Sequence, residues 1–241
     1  MKLVSLFLMI ISLNCLAQNP TIYGIGDSTM ANKPIANNNP ERGWGQMLPQ
    51  FFTDNITFEN RAVNGRSTRS FIAEKRWDDI LKTLKKGDYV FIQFGHNDSK
   101  ETDSLRYTNP HTAYRYNLIR FVTETREKGA TPILFSSIVR RNFNEKGVLI
   151  STHKDYTLEA RLVAQEYNVP FIDMEYFTEE LEMKYGPEKS KQLHLIYKAG
   201  ENSVLPEGKE DNTHLNEKGA TEIAKIAVEE LKKTKLDIVK Y

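Results

Sequence analysis

Thr21-Ile22-Tyr23-Gly24-Ile25-Gly26-Asp27-Ser28-Thr29 is an apolar run that stops in a polar turn. Its first six residues, β-branched and aromatic between glycines, predict a strand. Four more runs share that character: Ile56 to Ala62, Tyr89 to Phe94, Pro132 to Ser136 and Pro170 to Asp173. Helices are expected between them, near Gly45 to Phe52, Trp77 to Leu84, Ala113 to Lys128 and Asp155 to Tyr167. Gly129 and then Pro132 mark the end of the third of these. A last helix is expected from Glu217 to Lys233, capped by Asn216, with Ile223, Ile226, Ala227 and Leu231 at helical spacing. Strands alternating with helices predict an α/β fold, a parallel sheet covered on both faces. Such sheets bind ligands where the strand carboxyl ends open. The polar stretches Lys33 to Arg42, Asp98 to Pro110, Arg140 to Lys154 and Gly186 to Glu210 are therefore expected to rim a site.

Over 241 residues, 33 Lys and Arg against 32 Asp and Glu leave a formal net charge of +1. No global field is available to recruit nucleic acid or an anionic membrane. A hydrophobic share of 39% with 27% charged residues describes an ordinary globular chain, without repeats or low-complexity linkers. The first 17 residues differ. Lys2, the apolar run Leu3 to Leu13 and the small residues of Cys15-Leu16-Ala17 read as a secretory signal cleaved after Ala17, leaving one domain over 18–241 that is secreted or periplasmic. The run falls short of the roughly 20 residues that span a bilayer, so no stable membrane association is expected after cleavage. A lipid anchor on Cys15 is the rival; Ser12-Leu13-Asn14-Cys15 is a poor match to it, lacking leucine three before the cysteine. Cys15 is the only cysteine, so the domain over 18–241 has neither a disulfide nor a thiol nucleophile.

Ser28 follows the first strand, where a hydroxyl within reach of a base becomes a nucleophile and otherwise caps a helix. Met30 stands where a G-x-S-x-G elbow needs its second glycine, so the α/β-hydrolase pattern is excluded. Among five histidines only His214 has an acid three positions earlier, Asp211, in a polar loop before the last helix. That spacing lets a carboxylate hold one ring nitrogen while the other faces out. Gly65 after the second strand and Asn97 after the third offer N–H groups for an oxyanion; each also suits a simple turn.

Together the segments around Ser28, Gly65, Asn97 and Asp211-Asn212-Thr213-His214 resemble the SGNH (GDSL-type) hydrolases over nearly the whole chain after residue 17. The resemblance implies a three-layer α/β/α sandwich on a five-stranded parallel sheet of flavodoxin-like order 2-1-3-4-5. It implies Ser28 as nucleophile, His214 as base, Asp211 as its orienting acid, and an oxyanion hole made by the Ser28 N–H, the Gly65 N–H and the Asn97 amide. A narrower likeness is to rhamnogalacturonan acetylesterases, carbohydrate esterase family 12. It rests on Arg42-Gly43-Trp44-Gly45, the stretch Asn64 to Phe71, the stretch Phe91 to Asp98, and Val139-Arg140-Arg141-Asn142-Phe143. It implies an acetylated pectic polysaccharide as the substrate. One departure stands out: Lys154 follows His153 where these enzymes are expected to have glycine.

Arg66, Arg69, Arg140 and Arg141 are expected near the cleft, where a guanidinium fork suits a galacturonate carboxylate. Surface ion pairing is the alternative for each. Trp44 offers either a face for a sugar ring or half-buried support, and His96 and Asp98 are expected to brace Asn97. Without H-E-x-x-H, a calcium loop or a dinucleotide fingerprint, no metal and no cofactor are expected. The remaining alternatives are a lipase or aryl esterase of the same family, and a carbohydrate-binding protein that keeps the fold without turnover.

Overall fold

The computed structural model describes residues 19–234 and 236–240; the signal expected over 1–17 lies outside them. In chain order the elements are β1 (Thr21–Gly26), β2 (Glu41–Arg42), β3 (Thr57–Asn60), α1 (Thr68–Ala73), α2 (Arg76–Thr83), β4 (Tyr89–Gln93), α3 (Arg115–Glu127), β5 (Thr131–Phe135), α4 (Asp155–Glu166), β6 (Phe171–Ile172), α5 (Met174–Lys189), β7 (His194–Tyr197), β8 (Lys209–Asn216) and α6 (Glu217–Lys233). The expected helix near Gly45 to Phe52 is a tight 3₁₀ segment, Trp44–Phe51, because Pro49 has no N–H for an α ladder.

Five strands pair in parallel in the order β3-β1-β4-β5-β6. Counted among themselves they run 2-1-3-4-5, the order that the resemblance implies. Strand periodicity sorts their side chains into two cores. Phe91, Ile133 and Phe135 point to one face, where α6 lays down Ala220, Ile223, Ala224, Ala227, Val228 and Leu231. Val90, Ile92 and Leu134 point to the other, against Trp77 and Ile80 of α2, Leu118, Phe121 and Val122 of α3, and Ala160 and Val163 of α4. Three layers result. Truncation of a wholly buried side chain such as Leu231 to alanine would cost about 2–5 kcal/mol.

Gly129 turns the chain after α3 at φ +73°, and Asn216 caps α6 by accepting the Gly219 N–H at 3.0 Å. Two features were not expected. A second sheet, β2-β8-β7, is antiparallel, so Asp211 and His214 lie in a strand and not in a loop. Helix α5 fills residues 174–189, where no element was expected up to the polar stretch at Gly186, and its helical backbone breaks at Gly186, φ +73°.

Candidate active site

Ser28 is set at the carboxyl end of β1 by the residues on either side of it. Asp27, wholly buried, accepts hydrogen bonds from the Thr29 N–H at 2.9 Å, the Thr29 hydroxyl at 2.8 Å and the Gln93 amide at 3.4 Å. This closes a tight turn beneath the serine. Burial raises the Asp27 carboxyl above its ordinary range, and the Thr29 bonds work against that. The Trp44 N–H donates to Thr29 O at 2.9 Å, seating Arg42-Gly43-Trp44-Gly45 directly on the serine turn. Gly43 permits that approach: a Cβ there would lie 2.2 Å from Ala31 O.

His214 reaches the serine from the second sheet. Between the pairs His194↔Leu215 and Leu195↔Asp211 the register jumps, so residues 212–214 bulge out of β8. Arg141 braces that bulge. Its N–H donates to Asn212 O at 2.8 Å, its Nη1 to Asn212 Oδ1 at 2.7 Å, its Nε to Ser190 Oγ at 3.0 Å, and its Nη2 to Pro187 O.

The bulge brings together residues 186 apart in sequence. His214 Nε2 lies 2.9 Å from Ser28 Oγ, and Nδ1 lies 2.8 Å from Asp211 Oδ2. Asp211 Oδ1 also accepts the N–H of Thr213 at 3.0 Å and of His214 at 2.9 Å. Burial alone would raise this carboxyl; the His214 ring and these N–H groups outweigh it and hold it far below the carboxylate range. An ionised carboxylate only accepts, so Nδ1 carries the ring proton and the Nε2 lone pair faces the serine hydroxyl.

The serine opens into a cleft of about 330 Å³ lined by Lys33, Asn64, Gly65, Asn97, Lys100 and Arg106, with Glu41, Lys209, Asp211 and His214. Gly65 and Asn97 thus share one wall space with Ser28. The backbone hydrogen bonds of the flanking loops use neither the Ser28 nor the Gly65 N–H among the described residues. Asn97 Nδ2 donates to Arg66 O at 3.1 Å, leaving a second N–H on that nitrogen. Below it, buried Asp98 accepts from the Thr68 hydroxyl at 2.5 Å and the Thr108 hydroxyl at 2.7 Å, clamping the β4 loop to α1. Burial lifts the Asp98 carboxyl to about 6 despite these bonds. His96 is buried with its Nδ1 3.0 Å from His153 Nε2; burial pushes His153 down to about 3 and His96 well below its usual range. Both rings are neutral props.

The expected sugar contacts fare differently. Trp44 is 0% exposed, its ring 5.6 Å from Phe135 and its Nε1 3.2 Å from Gln93 Oε1, so it presents no face to a sugar. Arg141 is 9% exposed, its guanidinium taken up by Asn212, Ser190 and Pro187. Arg140 donates to His96 O and Thr152 Oγ1, both at 3.0 Å, and Arg66 pairs with Glu74 at 3.0 Å. Arg69 extends over the surface toward Tyr107 O at 3.5 Å. None of these arginines lines the cleft. Its cations are Lys33, Lys100, Arg106 and Lys209, all four in stretches expected to form the rim. Among the described residues no three His, Cys, Asp or Glu side chains group so as to hold a metal ion.

Comparison with known proteins agrees with the fold. Residues 25–221 match the family described as GDSL-like Lipase/Acylhydrolase. The chain is 40% identical to the rhamnogalacturonan acetylesterase RhgT of Bacillus subtilis (strain 168), over 86% of this chain and 88% of that one. It is 31% identical to the rhamnogalacturonan acetylesterase of Emericella nidulans, over 93% and 89%. The solved structure of YxiM from Bacillus subtilis superimposes with a TM-score of 0.77 at 28% identity, over 90% of this chain and 57% of that longer one.

Proposed function

We propose that this chain, which belongs to the GDSL-like lipase/acylhydrolase family, removes acetyl groups from a pectic polysaccharide of the rhamnogalacturonan kind. By kinship it is a carboxylic ester hydrolase. The observation that carries the mechanism is the chain of contacts from Ser28 Oγ to His214 Nε2 at 2.9 Å and from Nδ1 to Asp211 at 2.8 Å. Ser28 attacks the acetyl carbonyl while Nε2 takes its proton, and Asp211 offsets the charge of the imidazolium. The N–H groups of Ser28 and Gly65 and the free N–H of Asn97 receive the oxyanion. His214 then returns the proton to the departing sugar hydroxyl, and water releases acetate from the acyl-serine by the same route.

The substrate rests on the named relatives and on a cleft edged by Lys33, Lys100, Arg106 and Lys209, which suits a polyanion. Export through the first 17 residues fits an extracellular polymer. N-terminal sequencing of exported protein should begin near Gln18.

Two measurements test the activity. A fluorophosphonate should label Ser28, and acetate release should be faster from acetylated rhamnogalacturonan than from acetylated xylan or an aryl acetate. An unlabelled serine would leave a carbohydrate-binding protein on this fold; preference for aryl or lipid esters would replace the pectic assignment.

A further inference from the structure

Arg106 sits where the two remote oxyanion donors meet. Its Nη1 donates to Asn97 Oδ1 at 3.3 Å, and the same nitrogen lies 3.6 Å from the position a Cβ on Gly65 would take. Its other end is anchored, with Nε 2.5 Å from Asp103 Oδ2. The turn itself is closed by the Arg106 N–H to Asp103 O at 3.0 Å and the Tyr107 N–H to Asp103 O at 2.7 Å.

An amide is an oxyanion donor in only one of its two orientations. Turned over, Asn97 would present a carbonyl oxygen to the developing negative charge and repel it. Arg66 O, accepting from Nδ2, favours the productive orientation; a backbone carbonyl can do no more than that. A guanidinium has donors and no acceptor, so at 3.3 Å it tolerates only Oδ1. Drawing electron density toward Oδ1 also makes the Nδ2 hydrogens stronger donors.

We propose that Arg106 is a positioning residue that locks and polarises the Asn97 amide, acting on the transition state and not on a substrate carboxylate. This rests on the hydrolytic role of Ser28 and Asn97 proposed above. The test uses a neutral aryl acetate, which offers no carboxylate to bind. Arg106→Ala should lower kcat about tenfold, with KM within about twofold, as expected when an interaction made only in the transition state is lost. Arg106→Lys, which keeps a donor, should recover part of that loss. Asn97→Ala should cost about 10²–10³ in kcat, and adding Arg106→Ala to it should cost almost nothing more, since the amide through which Arg106 acts is gone. Melting curves ensure that the variants compared are folded.

Full additivity in the double variant would overturn the proposal. So would unchanged kcat on the aryl acetate with a higher KM confined to pectic substrate, which would make Arg106 a carboxylate contact. Ser28→Ala separates the levels: an inert Ser28→Ala with a normal Arg106→Ala removes this inference alone, while an active Ser28→Ala removes the hydrolytic mechanism with it.

Discussion

Asp211 holds His214 at two points, its Oδ2 lying 2.8 Å from the ring Nδ1 and its Oδ1 accepting the His214 backbone N–H at 2.9 Å. The backbone contact fixes where the ring starts and the side-chain contact fixes how it turns. Asp211→Asn preserves the shape but cannot offset an imidazolium and favours the wrong tautomer. We expect kcat to fall by as much as about 10⁴-fold, with a smaller change in KM. Steady-state kinetics on a folded variant check this; near-normal turnover would remove Asp211 from the mechanism.

Arg141 acts one step further out. Its four contacts reach Asn212, Ser190 and Pro187, tying the bulge that carries His214 to the end of α5. Arg141→Ala should cost about 2–3 kcal/mol in urea unfolding, the range for lost hydrogen bonds to a charged group. Turnover should drop by the same factor on pectic and on aryl acetates. A loss confined to the pectic substrate would return Arg141 to the role of sugar contact.

Much of this was legible in the sequence because it depends on short patterns. The five strand runs carry their own β-branched and aromatic residues, and Asp211 to His214 is a local spacing. What depended on tertiary partners was not legible. β8, Lys209-Glu210-Asp211-Asn212-Thr213-His214-Leu215-Asn216, has no apolar alternation and exists because β7 and β2 pair with its two edges. The buried face of α5 is Met174, Glu175, Thr178 and Glu182, which gives no apolar stripe. Adjacent arginines 140 and 141 were equivalent on paper; only the fold shows that one grips His96 and the other Asn212. The cleft cations Lys100 and Arg106 stood in a stretch expected to form the rim, but no spacing distinguished them from other surface charges.

Lys154, noted in the sequence as standing in place of glycine, holds φ +35° and ψ −104° at the start of α4. A side chain there is strained, by about 1–3 kcal/mol in comparable cases. Lys154→Gly should relieve the strain, less the entropy that glycine loses on folding. We expect a net gain of about 1 kcal/mol and a melting temperature about 2–4 °C higher. A lower melting temperature would mean that the lysine contributes contacts worth more than its strain.

Asp98 sets a pH dependence. Burial raises its carboxyl from the ordinary 3.8 to about 6, so the folded protein holds this proton more tightly than the unfolded chain. The stabilising effect of that proton is complete below pH 3.8 and is lost as pH rises through about 6. At about 1.4 kcal/mol per pH unit the interval amounts to about 3 kcal/mol. Asp98→Asn keeps an acceptor for Thr68 and Thr108 but has no such proton. Its stability relative to the parent should therefore rise between about pH 4 and pH 6, other groups cancelling in the difference. Chemical denaturation of both proteins across that range is the measurement, and a flat difference would show an unshifted Asp98.

The cation best placed to meet a galacturonate is Lys100. Lys33 already pairs with Glu41 at 2.7 Å and Asn64 at 2.6 Å, and Lys209 lies 3.3 Å from Asp211. At Lys100, burial and the neighbouring charges of Arg106 and Arg140 hold the ammonium below the usual lysine range, and a bound carboxylate would relieve that. Lys100→Ala should raise KM for acetylated rhamnogalacturonan by up to about fivefold, the size of a solvent-screened ion pair. KM for a neutral aryl acetate and kcat for both should hold. Salt supplies an independent check, because the Debye length shrinks from about 10 Å at 0.1 M to about 3 Å at 1 M. Added salt should raise the parent enzyme's KM for the polymer toward that of the variant and move the variant's less. Equal KM changes on both substrates, or a parent enzyme indifferent to salt, would mean that the carboxylate of the pectic chain does not dock at Lys100.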